Sequence, residues 1–400
     1  EGILQKECKR IFRRKQNKND FGQPLRLHKH QEDAVRIALN GFNYVLTTGT
    51  GSGKSLSYII PIVDYVLKNG SGNGIQAIIV YPMNALANSQ LGELEKFLKF
   101  GFSDPYCPVT FERYTGQEND QEKYRIMANP PDILLTNYVM LELILTRPEE
   151  RRTLMIAAQN LKFLVLDELH TYRGRQGADV AMLVRRVREA LKATHLQCIG
   201  TSATLSNNNS WESQQEEIAK VASIIFGDTV QPNHVIGETL SRVTKEIDET
   251  DPNFTEELRR CIRSLSLPDD YEEFRRYPLA CWAENHLGLS KDSKTDRLVR
   301  TKPRSLTGPM GAGKDLSSKT GIPEEDCVNA LQAILIRGYN LKNPETNLPV
   351  FAFRLHQFIS RGDTVYASLE EEEKRHITVY GQKFAPGKKE AVLLPLAFCR

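Results

Sequence analysis

A glycine-rich stretch early in the chain has the residue types that hold a phosphate group. A short apolar run, 44–46, leads into Thr-Thr-Gly-Thr-Gly-Ser-Gly-Lys-Ser at 47–55, and a second apolar segment follows at 56–63. This order predicts a buried strand, a loop and a helix, so that backbone N–H groups and the positive end of the helix dipole face an anion. The strict phosphate-loop pattern has glycine where this chain has Thr48. A plain surface turn would not explain the flanking strand and helix.

The residues of this loop have separate expected roles toward ATP and Mg²⁺. Lys54 is expected to reach the β- and γ-phosphates, and the Ser55 hydroxyl is expected to bind the metal ion. Upstream of the loop, the side-chain amide of Gln31 can pair with both the N6 amine and N7 of adenine. The predicted nucleotide-binding residues are Gln31, Thr48, Gly49, Thr50, Gly51, Ser52, Gly53, Lys54 and Ser55.

The stretch Asp-Glu-Leu-His at 167–170 supplies a second set of reactive groups. An acidic residue that closes a buried apolar run is costly unless it meets a cation, so Asp167 is expected to bind Mg²⁺ together with Ser55. Glu168 is expected to orient and deprotonate the attacking water. A helix-capping Asp-Glu pair is the alternative, and the phosphate loop upstream argues against it. The predicted catalytic residues are therefore Lys54, Asp167 and Glu168.

The residues with reactive groups follow apolar runs that alternate with helical segments. Such continuous apolar runs are typical of a parallel sheet that is covered by helices on both faces. Besides the strand before the phosphate loop, the predicted strands are 77–81, 132–136, 163–167 and 196–201. Ligands of these sheets bind beyond the carboxyl ends of the strands, which is where the acidic stretch and the hydroxyls of Ser202 and Thr204 lie.

Taken in order, a series of short stretches resembles the first RecA-like domain of a superfamily 2 helicase of the DEAD/DEAH type. The stretches are Gln31, the phosphate loop, 82–87, Thr115-Gly116, Thr136-Asn137, 167–170 and 202–204. The resemblance covers 31–205, which is less than half of the chain. Within it, 81–87 and 167–174 are similar to large bacterial helicases of anti-phage defence, of the DISARM type, and of DNA repair.

The resemblance implies ATP and Mg²⁺ as cofactors, and it implies roles for residues beyond the nucleotide site. His170, Ser202 and Thr204 match positions at which the family couples hydrolysis to strand movement. A further set matches positions at which the family contacts the backbone of one nucleic-acid strand. That set is Pro82, Asn84, Thr115, Gly116, Thr136 and Asn137.

The rest of the chain carries weaker signals, and no segment after residue 205 predicts a second RecA-like domain. We therefore expect an α/β chain that is a piece of a longer protein. The predicted domains are a basic N-terminal extension (1–24), a RecA-like ATPase domain (25–230), a helical connector (231–305) and a winged-helix-like α+β module with a small β region (306–400).

Two motifs in the last hundred residues need separate interpretation. A helix–turn–helix is predicted at 316–337 with a wing strand at 350–356, and it would either bind DNA or support the motor. The stretch 308–314 has the strict phosphate-loop spacing. It is not predicted to bind phosphate, because Asp315 stands where a hydroxyl is needed and the preceding segment, with its proline, does not predict a strand.

Composition and charge narrow the function only slightly. The 400 residues carry a net charge of +3, which does not by itself indicate a nucleic-acid partner. Residues 1–36 hold ten Lys and Arg against five Asp and Glu, and this arm would either touch phosphates or be solvated. The same two interpretations stay open for the arginines at 185–188, and the segment 171–177 would either contact nucleic acid or cap a helix.

The location is predicted from what the sequence lacks. The chain has seven cysteines without a paired spacing, which is typical of reduced thiols. It has no apolar run long enough to span a membrane and no secretory signal, so a cytoplasmic protein without a membrane partner is expected.

Together these features predict the N-terminal half of an ATP-dependent DNA helicase or translocase that tracks a single strand. The predicted setting is bacterial anti-phage defence or DNA repair, with a protein partner in such a complex. The alternative is a nucleotide-switch module that recruits a partner without translocating. A phosphotransferase is disfavoured, because Glu168 beside the metal ligand suits attack by water.

We expect the purified chain to bind ATP and to hydrolyse it slowly, since no arginine finger is predicted within it. An arginine finger is worth roughly 10³–10⁵ in the rate of phosphoryl transfer. Steady-state turnover with and without DNA measures this, and rapid DNA-stimulated turnover by this chain alone would contradict the expectation.

Overall fold

The computed structural model describes most of the chain and divides into two compact units. Unit 1 comprises Glu1–Ser241 and Lys291–Val299, and unit 2 comprises Arg242–Ser290 and Arg300–Arg400. The described residues are 2–49, 52–102, 106–172, 174–193, 195–203, 211–291, 298–352, 365–371, 374–379 and 383–396.

Unit 1 is built around a parallel sheet of seven strands in the order β5-β6-β4-β7-β8-β3-β9. Its strands are β3 (Tyr44–Thr47), β4 (Ala77–Tyr81), β5 (Phe111–Tyr114), β6 (Ile133–Asn137), β7 (Phe163–Leu166), β8 (Gln197–Ser202) and β9 (Val235–Gly237). A separate antiparallel pair, β1 (Arg13–Arg14) and β2 (Gln23–Pro24), precedes them.

Helices connect the strands of the sheet. The α-helices of unit 1 are α1 (Cys8–Ile11), α2 (Lys29–Leu39), α3 (Leu56–Asn69), α4 (Asn84–Leu98), α5 (Asp120–Ala128), α6 (Tyr138–Thr146), α7 (Pro148–Glu150), α8 (Gly174–Leu191) and α9 (Trp211–Phe226). A π-helical turn spans Arg151–Met155, and 3₁₀ turns span Ala158–Asn160, Leu169–Thr171 and Pro232–His234.

Both faces of the sheet are buried, which explains why its strands are continuously apolar. Successive residues of β4 enter two different hydrophobic clusters: Ile78 and Val80 pack on one side, and Ala77, Ile79 and Tyr81 pack on the other. This arrangement confirms the predicted RecA-like parallel sheet. Because every strand of it runs the same way, the loops that follow the strands meet at one carboxyl edge.

Helix α3 lies directly behind the phosphate loop and contains Pro61 in its interior. A proline has no N–H, so the carbonyl of Ser57, four residues earlier, loses its helical donor. The hydroxyl of Tyr44, at the start of β3, donates to that carbonyl at 2.8 Å in the buried core. The strand and the helix on either side of the loop are thereby joined directly.

The segment before α2 packs on unit 1 and takes part in its core. Cys8, Ile11 and Phe12 belong to the cluster on one face of the sheet. Lys15 is 8% exposed, and its Nζ donates to the carbonyls of Phe97 at 2.8 Å and Phe100 at 2.7 Å, at the end of α4. This lysine of the basic arm therefore caps a helix, which neither of the two interpretations of the arm anticipated.

Unit 2 contains a helical core followed by a small antiparallel sheet. Its helices are α10 (Pro252–Ser264), α11 (Tyr271–Arg276), α12 (Pro278–Ala283), α13 (Ala312–Thr320) and α14 (Glu324–Asn340), with a π-helical turn at Glu284–Gly288. A two-stranded sheet pairs β10 (Leu289–Lys291) with β11 (Leu298–Arg300), and its residues are divided between the two units. The later sheet has the order β13-β12-β15-β14, from β12 (Tyr366–Ser368), β13 (Ile377–Thr378), β14 (Phe384–Ala385) and β15 (Lys388–Pro395).

The helix–turn–helix followed by antiparallel strands confirms the winged-helix-like class of this module. Helices α13 and α14 are joined through Gly321, whose φ of +70° suits the turn. Residues 353–356 of the predicted wing strand lie outside the described residues. In the rejected phosphate-loop stretch, no strand is described over 301–311, and the Asp315 carboxylate pairs with Arg304 at 2.7 Å.

Helix α14 begins with three acidic residues in its first turn, Glu324, Glu325 and Asp326. In helix–turn–helix proteins the N-terminal residues of the second helix contact base edges, close to phosphates. Three carboxylates there repel a nucleic acid, which favours the supporting role over DNA binding for this module. Among the described helices of both units, none is long and apolar enough to cross a membrane.

A buried carboxylate, Asp132, holds together the amino edge of the sheet and provides a test of the fold. It is fully buried and accepts hydrogen bonds from Ser71 Oγ at 2.6 Å, Gly72 N at 2.8 Å, and Thr110 N and Oγ1 at 2.8 and 2.7 Å. We expect Asp132→Ala to destabilise the chain by about 3 kcal/mol, because these four donors and Gln76 Nε2, at 3.3 Å, lose their acceptor.

The loss in the free energy of unfolding is measured by denaturant titration, with circular dichroism as the signal. Asp120→Ala is the control, because the Asp120 side chain is 87% exposed and its ion pair with Lys123 should contribute less than about 1 kcal/mol. Equal losses in the two variants would show that Asp132 does not organise the sheet.

Candidate active site

The phosphate loop follows β3 and runs into α3 with its described residues bonded to one another. The hydroxyls of Thr48 and Ser52 are 2.6 Å apart, so Thr48 replaces the expected glycine with a hydrogen bond across the loop. Gly53 has φ +76°, a conformation that favours glycine. Thr50 and Gly51 lie outside the described residues, and their predicted roles remain predictions.

Helix α2 supports the loop from the side through two residues at its first turn. Gln31 is 2% exposed, and its Nε2 donates to the Gly53 carbonyl at 2.9 Å while its Oε1 accepts from His28 N at 2.9 Å. His30 Nε2 lies 3.1 Å from the Ser52 carbonyl. The pKa of His30 is lowered, mainly by burial of the ring and less by the neighbouring His28. Gln31 therefore contacts the phosphate loop directly. Recognition of adenine by Gln31 remains a prediction.

Lys54 points across the sheet edge toward the ends of the neighbouring strands. Its Nζ donates to the Ser202 carbonyl at the end of β8, at 3.2 Å, and lies 3.7 Å from Glu168 Oε1. The Lys54 side chain is only 10% exposed. The structure thus brings the predicted catalytic lysine and the predicted catalytic glutamate together, although they are more than a hundred residues apart in sequence.

Asp167 follows β7 and is held by a residue that the sequence did not single out. The Thr201 hydroxyl, on β8, donates a short hydrogen bond to Asp167 Oδ1 and accepts one from Glu168 N at 3.1 Å. Burial raises the pKa of Asp167 from 3.8 to about 6, against the opposing effects of Thr201 and Lys54. A buried carboxylate in this state is suited to a cation that approaches from the open edge.

Glu168 and His170 form the link between the acidic stretch and β8. Glu168 has φ +54° and ψ +53°, a left-handed conformation that is rare outside glycine and is found at functional sites. The N–H of Ala203 donates to His170 Nδ1 at 3.2 Å, and the same nitrogen lies 3.4 Å from Ser202 Oγ and 3.2 Å from Glu168 Oε2. His170 and Ser202, the predicted coupling residues, therefore touch, and Thr204 lies outside the described residues.

The residues predicted to contact nucleic acid meet at the ends of β4, β5 and β6. Asn137 Nδ2 donates to Asn84 Oδ1 at 2.7 Å and to the Thr115 carbonyl at 3.0 Å, so one amide joins all three loops. Thr136 is fully buried, and its hydroxyl donates to the Tyr114 carbonyl at 2.7 Å. In this structure Thr136 positions the strand ends, whereas Pro82 is half-buried and Gly116 is exposed.

A buried glutamate organises the Thr115-Gly116 turn. Glu118 is 6% exposed and accepts from Thr115 N at 2.9 Å, from Thr115 Oγ1 at 3.1 Å and from Gly116 N at 2.8 Å. Arg113 Nε completes its shell at 2.8 Å. The donors that this turn would offer to a phosphate are therefore bound to a carboxylate of the same unit.

The arginines of the basic helix face make contacts within unit 1, and nucleic-acid binding by them is not tested by these contacts. Arg185 and Arg188 on α8 donate to the carbonyls of Ile224 at 3.0 Å and Phe226 at 3.0 Å, which close α9. Arg186 pairs with Glu142 at 2.7 Å. These arginines connect helices within unit 1. In the segment 171–177, Gly174 begins α8, and Arg173 lies outside the described residues.

Three site residues were missed by the sequence reasoning: Thr201, Glu118 and Glu238. Thr201 gave a weak signal, as a hydroxyl at the end of an apolar strand. Glu118 lies in a polar segment that offers no pattern. Glu238 follows β9, which has only three residues, and its Oε1 accepts from Gly49 N of the phosphate loop at 2.6 Å.

Comparison with known proteins agrees with this geometry. Residues 28–212 match the DEAD/DEAH box helicase family. The Druantia protein DruE of Escherichia coli is 28% identical, over 46% of this chain and 16% of that protein. An uncharacterized ATP-dependent helicase of Methanocaldococcus jannaschii is 30% identical, over 46% and 26%. The ATP-dependent helicase hrq1 of Schizosaccharomyces pombe is 35% identical, over 45% and 16%. The chain therefore spans a minor part of the length of these relatives.

Solved structures of helicases also resemble the chain. The DUF1998 helicase MrfA bound to DNA matches with a TM-score of 0.47 and 24% identity, over 60% of this chain and 28% of that one. The helicase Lhr of Mycobacterium smegmatis bound to ssDNA and AMP-PNP matches with a TM-score of 0.45 and 22% identity, over 60% and 31%.

The raised pKa of Asp167 predicts a stability gain when its charge is removed. Because the pKa is about 6 in the folded chain and ordinarily 3.8, the native state binds the proton more tightly, and the penalty for ionisation develops as pH rises from about 4 to about 6. We expect Asp167→Asn to be more stable than the wild type at pH 7.5, by up to about 3 kcal/mol.

Denaturant unfolding at pH 7.5 and at pH 4 tests this, since the two proteins should converge at the lower pH. Asp120→Asn, an exposed site, should show no such convergence. A loss of stability in Asp167→Asn at pH 7.5 would mean that the carboxylate is needed by the fold.

Proposed function

We propose that the chain is the ATP-binding part of a DNA helicase or translocase, because residues 28–212 match the DEAD/DEAH box helicase family. In this proposal unit 1 binds ATP with Mg²⁺ and contacts one DNA strand at the carboxyl edge of its sheet. Hydrolysis at that edge drives movement along the strand.

The observation that carries this proposal is the position of Lys54. Its Nζ lies 3.7 Å from Glu168 Oε1 and 3.2 Å from the Ser202 carbonyl. A cation so placed, beside a loop of backbone N–H groups, can bind the β- and γ-phosphates while a carboxylate stands next to them. These positions fit nucleotide hydrolysis better than phosphate binding alone, because the carboxylate is otherwise an unfavourable neighbour for a triphosphate.

The residues present also fit Mg²⁺. Asp167 offers a buried carboxylate whose pKa is raised to about 6 mainly by burial, and Ser55 offers a hydroxyl at the start of α3. Ser55 and Asp167 would hold the ion, which when bound supplies positive charge against the phosphate oxygens. Thr201 would keep Asp167 oriented toward it through the hydroxyl hydrogen bond.

Residues of the chain itself would then accept the proton of the attacking water and relay the change to the residues after β8. Glu168 would accept a proton from the attacking water on its carboxylate, in the orientation set by its left-handed backbone. His170 lies 3.2 Å from Glu168 Oε2 and accepts from Ala203 N, so a change at Glu168 would reach the residues after β8. This contact supports a coupling role for His170 and Ser202.

The nucleic-acid contact is proposed for the loops after β4, β5 and β6. Asn84, Thr115 and Asn137 are joined there by hydrogen bonds, and Gly116 is exposed beside them. The choice of DNA, and of anti-phage defence or repair as the setting, rests on the likeness of 81–87 and 167–174 to helicases of those systems. A protein partner in such a complex is part of the same proposal.

Nucleotide binding by the purified chain tests the proposal. We expect ATP with Mg²⁺ to bind the wild type and Glu168→Gln, and Lys54→Ala to weaken binding roughly tenfold or more, because a charge-assisted contact to phosphate is lost. Isothermal titration with each protein measures this. Lys99→Ala is the matched control, since Lys99 pairs with Glu95 on the surface of unit 1.

A second measurement addresses the nucleic acid. Single-stranded DNA should bind the wild-type chain with an affinity that falls as salt rises, because phosphate contacts release counterions. If Lys54→Ala bound ATP as well as the wild type does, the phosphate loop would not be the nucleotide site. If DNA bound with no salt dependence, the proposed backbone contact would be wrong.

A further inference from the structure

The phosphate loop is in contact with a carboxylate that belongs to no recognised motif of the chain. Glu238 Oε1 accepts a hydrogen bond from Gly49 N at 2.6 Å. A Cβ atom added to Gly49 would lie 2.8 Å from the same oxygen. The carboxylate is therefore seated directly against the first turn of the loop, and glycine at position 49 leaves room for it.

The fold requires this proximity. Strand β9 pairs in parallel with β3, and Thr47 is in register with Gly237. The next residues along each strand, Thr48 and Glu238, therefore leave the sheet side by side at its carboxyl edge. The strand is itself held in place by Trp211, whose ring lies where a Cβ of Gly237 would be. Glu238 thus approaches the loop from a fixed strand end.

This position has a consequence for any anion that the loop binds. The Gly49 N–H, engaged by Glu238, cannot at the same time donate fully to a phosphate oxygen. A triphosphate bound by the loop also brings several negative charges close to the Glu238 carboxylate, and this repulsion weakens as the ionic strength rises. Unlike Glu168, which stands beside Lys54, Glu238 has no place in the hydrolysis described above.

We propose that Glu238 sets the nucleotide affinity of this chain, by occupying the phosphate loop with a carboxylate that the nucleotide phosphates must displace. The inference rests on the proposed ATP binding and deepens it. Residues 238–241 follow β9 and belong to no helix or strand, so they are the part of unit 1 that would move when Glu238 is displaced. Release of Glu238 from Gly49 therefore loosens the segment 238–241 when nucleotide binds.

The substitution Glu238→Gln separates charge from shape. Its amide oxygen can still accept from Gly49 N, while the negative charge is gone. We expect ATP with Mg²⁺ to bind this variant roughly threefold to tenfold more tightly than the wild type, with a smaller gain for ADP and none for adenosine. The gain should shrink as the ionic strength rises. Glu95→Gln, which removes a surface carboxylate of unit 1, should leave all three affinities unchanged.

Glu238→Ala and hydrogen exchange provide independent measurements on the full chain. The alanine variant should also bind ATP more tightly, whereas a carboxylate needed only to hold the loop would make both variants bind more weakly. In the wild type, ATP should speed amide exchange in a peptide covering 238–241. In Glu238→Ala, which has no side-chain acceptor for Gly49 N, exchange there should already be fast without ATP.

The possible outcomes distinguish failure of this inference from failure of the proposed function. Unchanged or weaker ATP binding by Glu238→Gln, with normal wild-type binding, would overturn this inference alone. An equal change for adenosine and ATP would place Glu238 at the nucleoside and overturn it as well. A wild-type chain that does not bind ATP would overturn the proposed function together with this inference.

Discussion

The site depends on the position of β3 between β8 and β9 in the parallel sheet. Thr47, the last residue of β3, is in register with Ser202 on one side and with Gly237 on the other. These two pairings bring the phosphate loop against the residues after both neighbours, although those residues follow it by more than 150 positions in the chain. A shift of one residue in either pairing would move the partner by about 3.3 Å, more than a hydrogen bond can follow.

The same edge carries the strained and costly groups of unit 1. Asp167 is a buried carboxylate, and its raised pKa reflects the free-energy cost of a charge that is removed from water. Glu168 has a left-handed backbone conformation. Neither feature helps the chain to fold. They persist because β7 and β8 are fully buried strands whose packing over-determines the positions of their ends. The packing of the sheet thus offsets the free-energy cost of the buried carboxylate and of the left-handed backbone.

The predictability of each site residue depends on whether a residue pattern marks it. Lys54 and Asp167 were predictable, because each belongs to a motif of fixed spacing that follows an apolar run. Glu118 and Glu238 were not, since each acts through hydrogen bonds to backbone N–H groups, which no residue pattern records. The fold of unit 1 was predictable for the same reason as Lys54, whereas the role of Lys15 depends on a tertiary contact with α4.

One arrangement recurs at the two loops of the edge for which phosphate contacts are proposed. At the nucleotide loop the Gly49 N–H is bound by Glu238, and at the turn after β5 the Thr115 and Gly116 N–H groups are bound by Glu118. In both loops a carboxylate from the same unit accepts from these N–H groups and keeps the loop in shape without a ligand. For the buried Thr115, an N–H without an acceptor would also be costly. A phosphate arriving at either loop would exchange one anion for another. Binding would then yield only the difference between the two, which suits the proposed motor, because its site would have to release its ligands in every cycle.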